Sequence, residues 1–335
     1  MFALFWRRIP ALLLSCAVLL GTVSACNHRE AAPGADGGTE TVEAPGADGG
    51  DTELVKALSR LADTEDFRKN ILFADEAVAL RFPRVTSDRA VNWRTLIGRG
   101  SARLRPETKI LPDYGIRLDN SEYVVTAGTP LRDVTLVAGG QDPAAVTGKL
   151  LAAGWRAEDG DLVAPPIFTD DWHMRFLSIA LPLVHGEGVD LFVGGDDANW
   201  DDARVAPERS LAANPTIRAL ADCLGDAIAA YFRTRTHDDR TFVIAAGVQR
   251  KGAGSGKPAK VVVCSSWSTA EDMDRSVAEQ RQQYAQGRPA EVFRDVMVTA
   301  VGGERHLVRV TADSREPDAI LAMVDDANAP GMHHS

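Results

Sequence analysis

The stretch TFVIAAGVQRKGAGSGKPAKVVVCS, residues 241–265, decides the fold. Two runs of β-branched and small apolar residues, Thr241–Gln249 and Lys260–Ser265, flank a segment of glycine, serine and lysine. That pattern predicts two antiparallel strands joined by a hairpin loop. Upstream, Asn214-Pro215 opens a helix, with Asn as N-cap and Pro in the first turn. Its apolar stripe of Ile217, Leu220, Ala221, Leu224, Ile228 and Tyr231 carries the helix expectation as far as Tyr231. Downstream, Ser268 and Glu271 read as a capping box. They open a helix with Met273, Val277 and Tyr284 on one face. Asp295–Val301 and Arg305–Ala312 form a hairpin around Gly302-Gly303, a favoured turn pair, and Pro317–Val324 is a last helix. The expected order is α-β-β-α-β-β-α.

Toward the N-terminus, Leu54–Arg81 is mostly helical in pattern, with Leu54, Leu58 and Leu61 at helix spacing. Tyr123–Thr126 and Val134–Val137 read as strands. Asp142-Pro143 starts a helix with Val146, Leu150 and Leu151 as its stripe, and Gly154 stops it. Trp155–Val163 returns as a strand or hairpin around Gly160. Met174–Leu183 and Val189–Val193 read as a second hairpin through Gly186-Glu187-Gly188. The expected class is α+β: antiparallel sheets with helices packed on one side. The expected division is one domain over 53–212, another over 213–329, and a tail over 330–335. Both reuse strand pairs with a packed helix, which allows two similar halves, although no sequence repeat marks them.

The chain has 335 residues and a formal net charge of −10. That sign argues against nucleic acid or anionic lipid as a partner held by bulk electrostatics. The N-terminus reads as an address. Met1–Pro10 carries Arg7 and Arg8 and no acid. Ala11–Gly21 is apolar but far shorter than the roughly 20 residues a spanning helix needs, so 1–25 reads as a secretory signal peptide. Residues 26–52 are rich in Gly, Pro and Asp, and Glu43–Gly50 nearly repeats Ala32–Gly38. Such a segment lacks the apolar area to offset ordering entropy and is expected to be a disordered tether.

The run Val23-Ser24-Ala25-Cys26, after that leader, resembles the lipobox of bacterial lipoproteins. The resemblance implies that Cys26 is lipidated and becomes the first residue of the mature chain. The protein is then anchored on the extracytoplasmic face of the cell membrane. The excess of Arg over Lys and the abundance of Ala, Gly and Asp give the body the general look of actinobacterial envelope lipoproteins of unknown function. On this reading Cys16 leaves with the leader and Cys26 takes the lipid. Cys223 and Cys264 then remain in an oxidising compartment, where one disulfide is the economical pairing. Two buried free thiols are the alternative.

Asp197, Asn199, Asp201 and Glu208 occupy positions 1, 3, 5 and 12 of a calcium-loop template. Asp202 stands where the template has glycine, and strand rather than helix precedes it, so a solvated acidic loop is the preferred reading. Lys251–Lys257 has three glycines but lies between strands and has Pro258 where Ser or Thr would hold magnesium, so no nucleotide or other cofactor is expected. The histidines are scattered, and no nucleophile elbow is present. The tryptophans could be core, or a rim for sugars or peptides. The expected function is a non-catalytic binding or sensing module at the envelope, engaging an envelope protein or ligand. An envelope hydrolase with a dispersed site, or a carrier of an apolar ligand, are the alternatives.

Overall fold

Alternation of buried residues along each strand sets which side chains face which layer. On β1 (Asn70–Ala74), Ile71 and Phe73 point into one core while Ala74 points into another. The same split recurs on β2 (Tyr123–Ala127) and β3 (Val134–Ala138), where Val125 and Leu136 face one way and Val124 and Val137 the other. Strands buried on both faces must be covered on both faces. The computed structural model describes residues 51–82, 91–166, 171–237, 240–286, 291–302 and 305–325. The expected signal peptide, Cys26, the expected tether up to residue 50 and the expected tail over 330–335 lie outside them.

The other strands are β4 (Arg156–Glu158), β5 (Asp161–Val163), β6 (Leu183–Glu187), β7 (Asp190–Gly194), β8 (Ala227–His237), β9 (Arg240–Gln249), β10 (Ala259–Trp267), β11 (Phe293–Val301) and β12 (His306–Ser314). With β1–β3 they make one twelve-stranded sheet, ordered β11-β12-β10-β9-β8-β1-β2-β3-β7-β6-β5-β4. Each pairing in it is antiparallel. The helices are α1 (Glu53–Leu58), α2 (Glu65–Lys69), α3 (Glu76–Arg81), α4 (Pro143–Ala152), α5 (Trp172–Ala180), α6 (Pro215–Leu224), α7 (Ala270–Tyr284) and α8 (Ala319–Asp325). The protein is α+β, but its helices cover both faces of the sheet rather than one. Residues of α1, α2 and α6 share one core; α4 and α5 contribute to a second, and α7 and α8 to a third, both on the opposite face.

Three expected elements change identity. Apolar residues of the helix-like stretch Leu54–Arg81 include the strand β1, whose NILFA run is too short and too uniformly apolar for periodicity to tell strand from helix. The stripe assigned to one helix through Tyr231 breaks at Gly225, which has φ 72° and donates its N–H to the Ala221 carbonyl. Ile228 and Tyr231 then belong to β8. The C-terminal order is therefore α-β-β-β-α-β-β-α. Met174–Leu183 is also corrected: most of it is α5, because Asp171 accepts hydrogen bonds from the N–H groups of His173 and Met174 and starts a helix. The hairpin is instead formed by β6 and β7.

β1 and β8 pair with each other, so the sheet runs without interruption across the expected boundary at 212–213. On either side of this seam the connections repeat. β1-β2-β3, helix α4 and hairpin β6–β7 match β8-β9-β10, helix α7 and hairpin β11–β12, with β7 and β12 each beside the third strand. The β4–β5 hairpin and α5 interrupt only the first set. Arg250 staples the seam by donating to Asp75 at 2.9 Å and Asp226 at 3.1 Å.

Cys223 of α6 and Cys264 of β10 are disulfide-bonded, with 6.3 Å between Cα atoms. The bond pins helix to sheet inside the core shared by α1, α2 and α6. The N-cap of α7 is Thr269 rather than Ser268. Its hydroxyl accepts from the Asp272 N–H and donates to the Asp272 carboxylate. Thr269→Ala should cost about 1 kcal/mol of stability, measured by chemical denaturation.

Candidate functional site

At one end of the seam the sheet opens into a cleft of about 560 Å³. Its floor is the paired ends of β1 and β8, where Leu72 stands opposite Tyr231 and Asn70 opposite Arg233. The segment around Gly98–Arg105, the β2–β3 turn at Gly128–Pro130 and Leu321 of α8 form its walls. Among the described residues four cations line it, Lys69, Arg99, Arg105 and Arg233, and no carboxylate does. In a chain of net charge −10, that local excess is the reverse of the bulk.

Each cation is held differently. Arg233 donates from Nη1 to the Tyr231 hydroxyl at 2.8 Å. Arg99 pairs with Asp318 at 2.6 Å and donates from Nε to the Thr95 carbonyl. Lys69 lies 3.4 Å from Asp66 on its own helix. Arg105 is exposed, and no described carboxylate lies within ion-pair distance of it. Arg103, nearby, plays a structural role: it holds Asp133 and donates to the carbonyls of Pro130 and Ile179. Burial pushes the Asp133 carboxyl up despite that arginine.

The loop presenting Arg99 hangs from a buried acid. Glu76, fully enclosed, accepts hydrogen bonds from the N–H groups of Gly98 at 2.8 Å and Gly100 at 3.2 Å. Burial pushes its carboxyl up to about 7, against the pull of those two N–H groups. Both glycines are required. Gly98 has φ +76°, and a Cβ at Gly100 would come within 2.5 Å of the Val124 carbonyl oxygen. The opposite wall is fixed by Asp66, which accepts from the N–H and hydroxyl of Thr129. Burial raises the Asp66 carboxyl, but Thr129 and Lys69 outweigh it and hold it below the usual range.

A second cleft of about 620 Å³ adjoins the first, and Lys69 and Thr234 line both. Thr234 donates its hydroxyl to the Arg68 carbonyl at 2.6 Å, so the ridge between the clefts is α2 tied to β8. Hydroxyls of Thr236, Thr241, Ser266 and Ser268 line the second cleft beside Trp267, whose ring stacks on Phe242 at 5.3 Å. Trp267 is thus a rim tryptophan, whereas Trp93 and Trp155 are core. Among the described residues neither cleft is lined by two carboxylates or by any histidine.

The acidic loop does not assemble. Asn199 accepts from the Asp201 N–H and so caps its own turn, while Asp197 and Glu208 lie exposed. Among the described residues no three His, Cys, Asp or Glu side chains gather as a cation would require. The chain there breaks into short 3-10 turns, Trp200–Ala203 and Pro207–Arg209, which do not wrap four ligands around one point. The glycine-rich segment 251–257 is the turn between β9 and β10.

One histidine has partners the sequence does not indicate. His185 shares a 2.6 Å hydrogen bond from Nδ1 to Asp161, and Arg204 reaches its Nε2. Asp161 also accepts from the Trp200 indole and Arg204 pairs with Glu187, so this cluster is closed on itself. The cleft cations left no linear signal, because they come from α2, a loop and a strand read only in part, and as helix. Gly98-Arg99-Gly100, an arginine between two glycines, is the one local clue.

The fold and site define a three-layer α+β protein with a cationic cleft at the junction of two like-connected halves. No protein-family model, curated protein or solved structure matches the chain. Among the described residues no helix is long and apolar enough to cross a membrane.

Proposed function

We propose that this is an extracytoplasmic lipoprotein, tethered through Cys26, that works as a non-catalytic binding module at the cell envelope. The observation that carries the binding role is the seam cleft. It is preformed, concave and framed by backbone tied down at Glu76, Asp66 and Thr234, as a ligand site should be. The lipobox-like run at residues 23–26 carries the location, and the disulfide suits an oxidising compartment.

Two experiments test the reading. Cys26→Ala should move the protein from the membrane to the soluble fraction; unchanged fractionation would defeat the tether. A photo-crosslinking side chain at Ala102, exposed on the cleft wall, should give an adduct in intact envelopes. The same probe at Lys149, exposed on α4, should give none. Equal labelling at both positions, or none at Ala102, would defeat the binding role.

A further inference from the structure

We infer that the seam cleft receives a phosphate-class oxyanion, borne by a molecule with an apolar portion. This rests on the binding role just proposed and names the chemistry of its ligand. Among the described residues four cations converge on one concavity with no carboxylate in its lining, and a protein of net charge −10 does not gather them there by composition. Asp318 and Asp66 offset two of them, Arg99 and Lys69, from outside the lining, and an anion in the cleft would add a partner for the group. Arg105 has no described carboxylate within ion-pair distance, which leaves its fork of N–H donors for a ligand. Beside the polar Asn70, Thr129 and Thr234, the lining has an apolar portion: Leu72, Ala102, Pro130, Ala230 and Leu321, with the Tyr231 ring. Those surfaces suit the non-ionic part of a phosphoester better than a bare ion. Arg99 adds a competition. Its partner Asp318 lies just before α8, which supplies Leu321 to the wall, so an anion that draws Arg99 away from Asp318 also acts on that helix.

The oxyanion could belong to a phospholipid headgroup or to a soluble phosphate, and the test separates these sources. The full chain, purified in neutral detergent, is titrated calorimetrically with inorganic phosphate. It is also titrated with mixed micelles of phosphatidylglycerol, and of phosphatidylcholine as the zwitterionic comparison. Saturable binding that weakens as salt rises is expected. Arg105→Gln should weaken it about tenfold, and Arg105→Lys less, since each loses part of a charge-assisted contact. Arg105 is exposed and unpaired by carboxylate, so both variants should keep the wild-type unfolding midpoint. Lys56→Gln, on α1 outside the cleft, should bind as wild type. A preference for phosphatidylglycerol micelles over inorganic phosphate assigns the lipid source, and the reverse assigns the soluble one. No saturation with either, or an Arg105→Gln variant that binds as wild type, overturns the anion assignment. If the Ala102 adduct still forms in that case, only the ligand class has failed; if it is also missing, the binding role fails with it.

Discussion

Replacing both Cys223 and Cys264 by alanine should lower the unfolding free energy by about 4 kcal/mol. The bond joins residues 41 apart in sequence. In the chain-entropy description, closing a loop of that size removes about 4 kcal/mol of freedom from the unfolded chain. The loop encloses the end of α6, all of β8 and β9 and most of β10, including the strand that joins the two halves of the sheet. Loss of the bond therefore loosens the unfolded chain where the native sheet depends on one long-range pairing. Both cysteines are buried in the core, so alanine adds only a small cavity cost. The measurement is denaturant unfolding with and without reductant. The wild type should lose stability when reduced and the double variant should not respond. A midpoint indifferent to both reductant and substitution would refute the bond's role.

The second large effect is a pH dependence localised at Glu76. Burial raises its carboxyl from the ordinary 4.5 to about 7 in the folded chain. The folded state therefore holds this proton over a pH range where the unfolded state has released it. The stabilisation is complete below pH 4.5 and is lost as pH rises through about 7. A shift of that size corresponds to about 3 kcal/mol. Glu76→Gln removes the titration while keeping an oxygen for one of the two glycine N–H groups. The difference in stability between wild type and variant should fall by about 3 kcal/mol across this window and then level off. Other carboxylates, such as Asp66, held below the ordinary range, slope the opposite way, so the difference rather than either profile is diagnostic. Parallel profiles would show that Glu76 does not titrate there. Because Glu76 holds the Gly98–Gly100 loop, the same substitution should weaken phosphate binding by loosening that loop.

Much of the architecture was legible. Asp142-Pro143 and Asn214-Pro215 start helices as their caps dictate, and both cap side chains accept the expected N–H bonds. The 241–265 hairpin forms β9 and β10, paired from Val261–Val248 to Ser265–Ile244. The strands missed were β6, most of which read as a turn, and β1 and β8, the two that pair at the seam. Both are buried on two faces, and a strand buried on two faces shows no polar alternation to separate it from a core helix. The missed seam hid the site as well. With β8 read as helix as far as Tyr231 and the rest of it left unassigned, Arg233 had no place opposite Asn70, and the cleft had no floor.

The sequence by itself determined the class of fold, the positions of most helix starts and hairpins, and the matched cysteines. These follow from local rules: caps, turns and the period of apolar residues act within a few positions of one another. Only the tertiary structure decided that the two halves share one sheet, that helices cover both its faces, and that Lys69, Arg99, Arg105 and Arg233 meet in one cleft. Those outcomes depend on pairing across more than 150 positions, such as Leu72 with Tyr231, and no local propensity reaches that far. The burial that raises the Glu76 carboxyl arises in the same way, from chain segments brought together only by the completed fold.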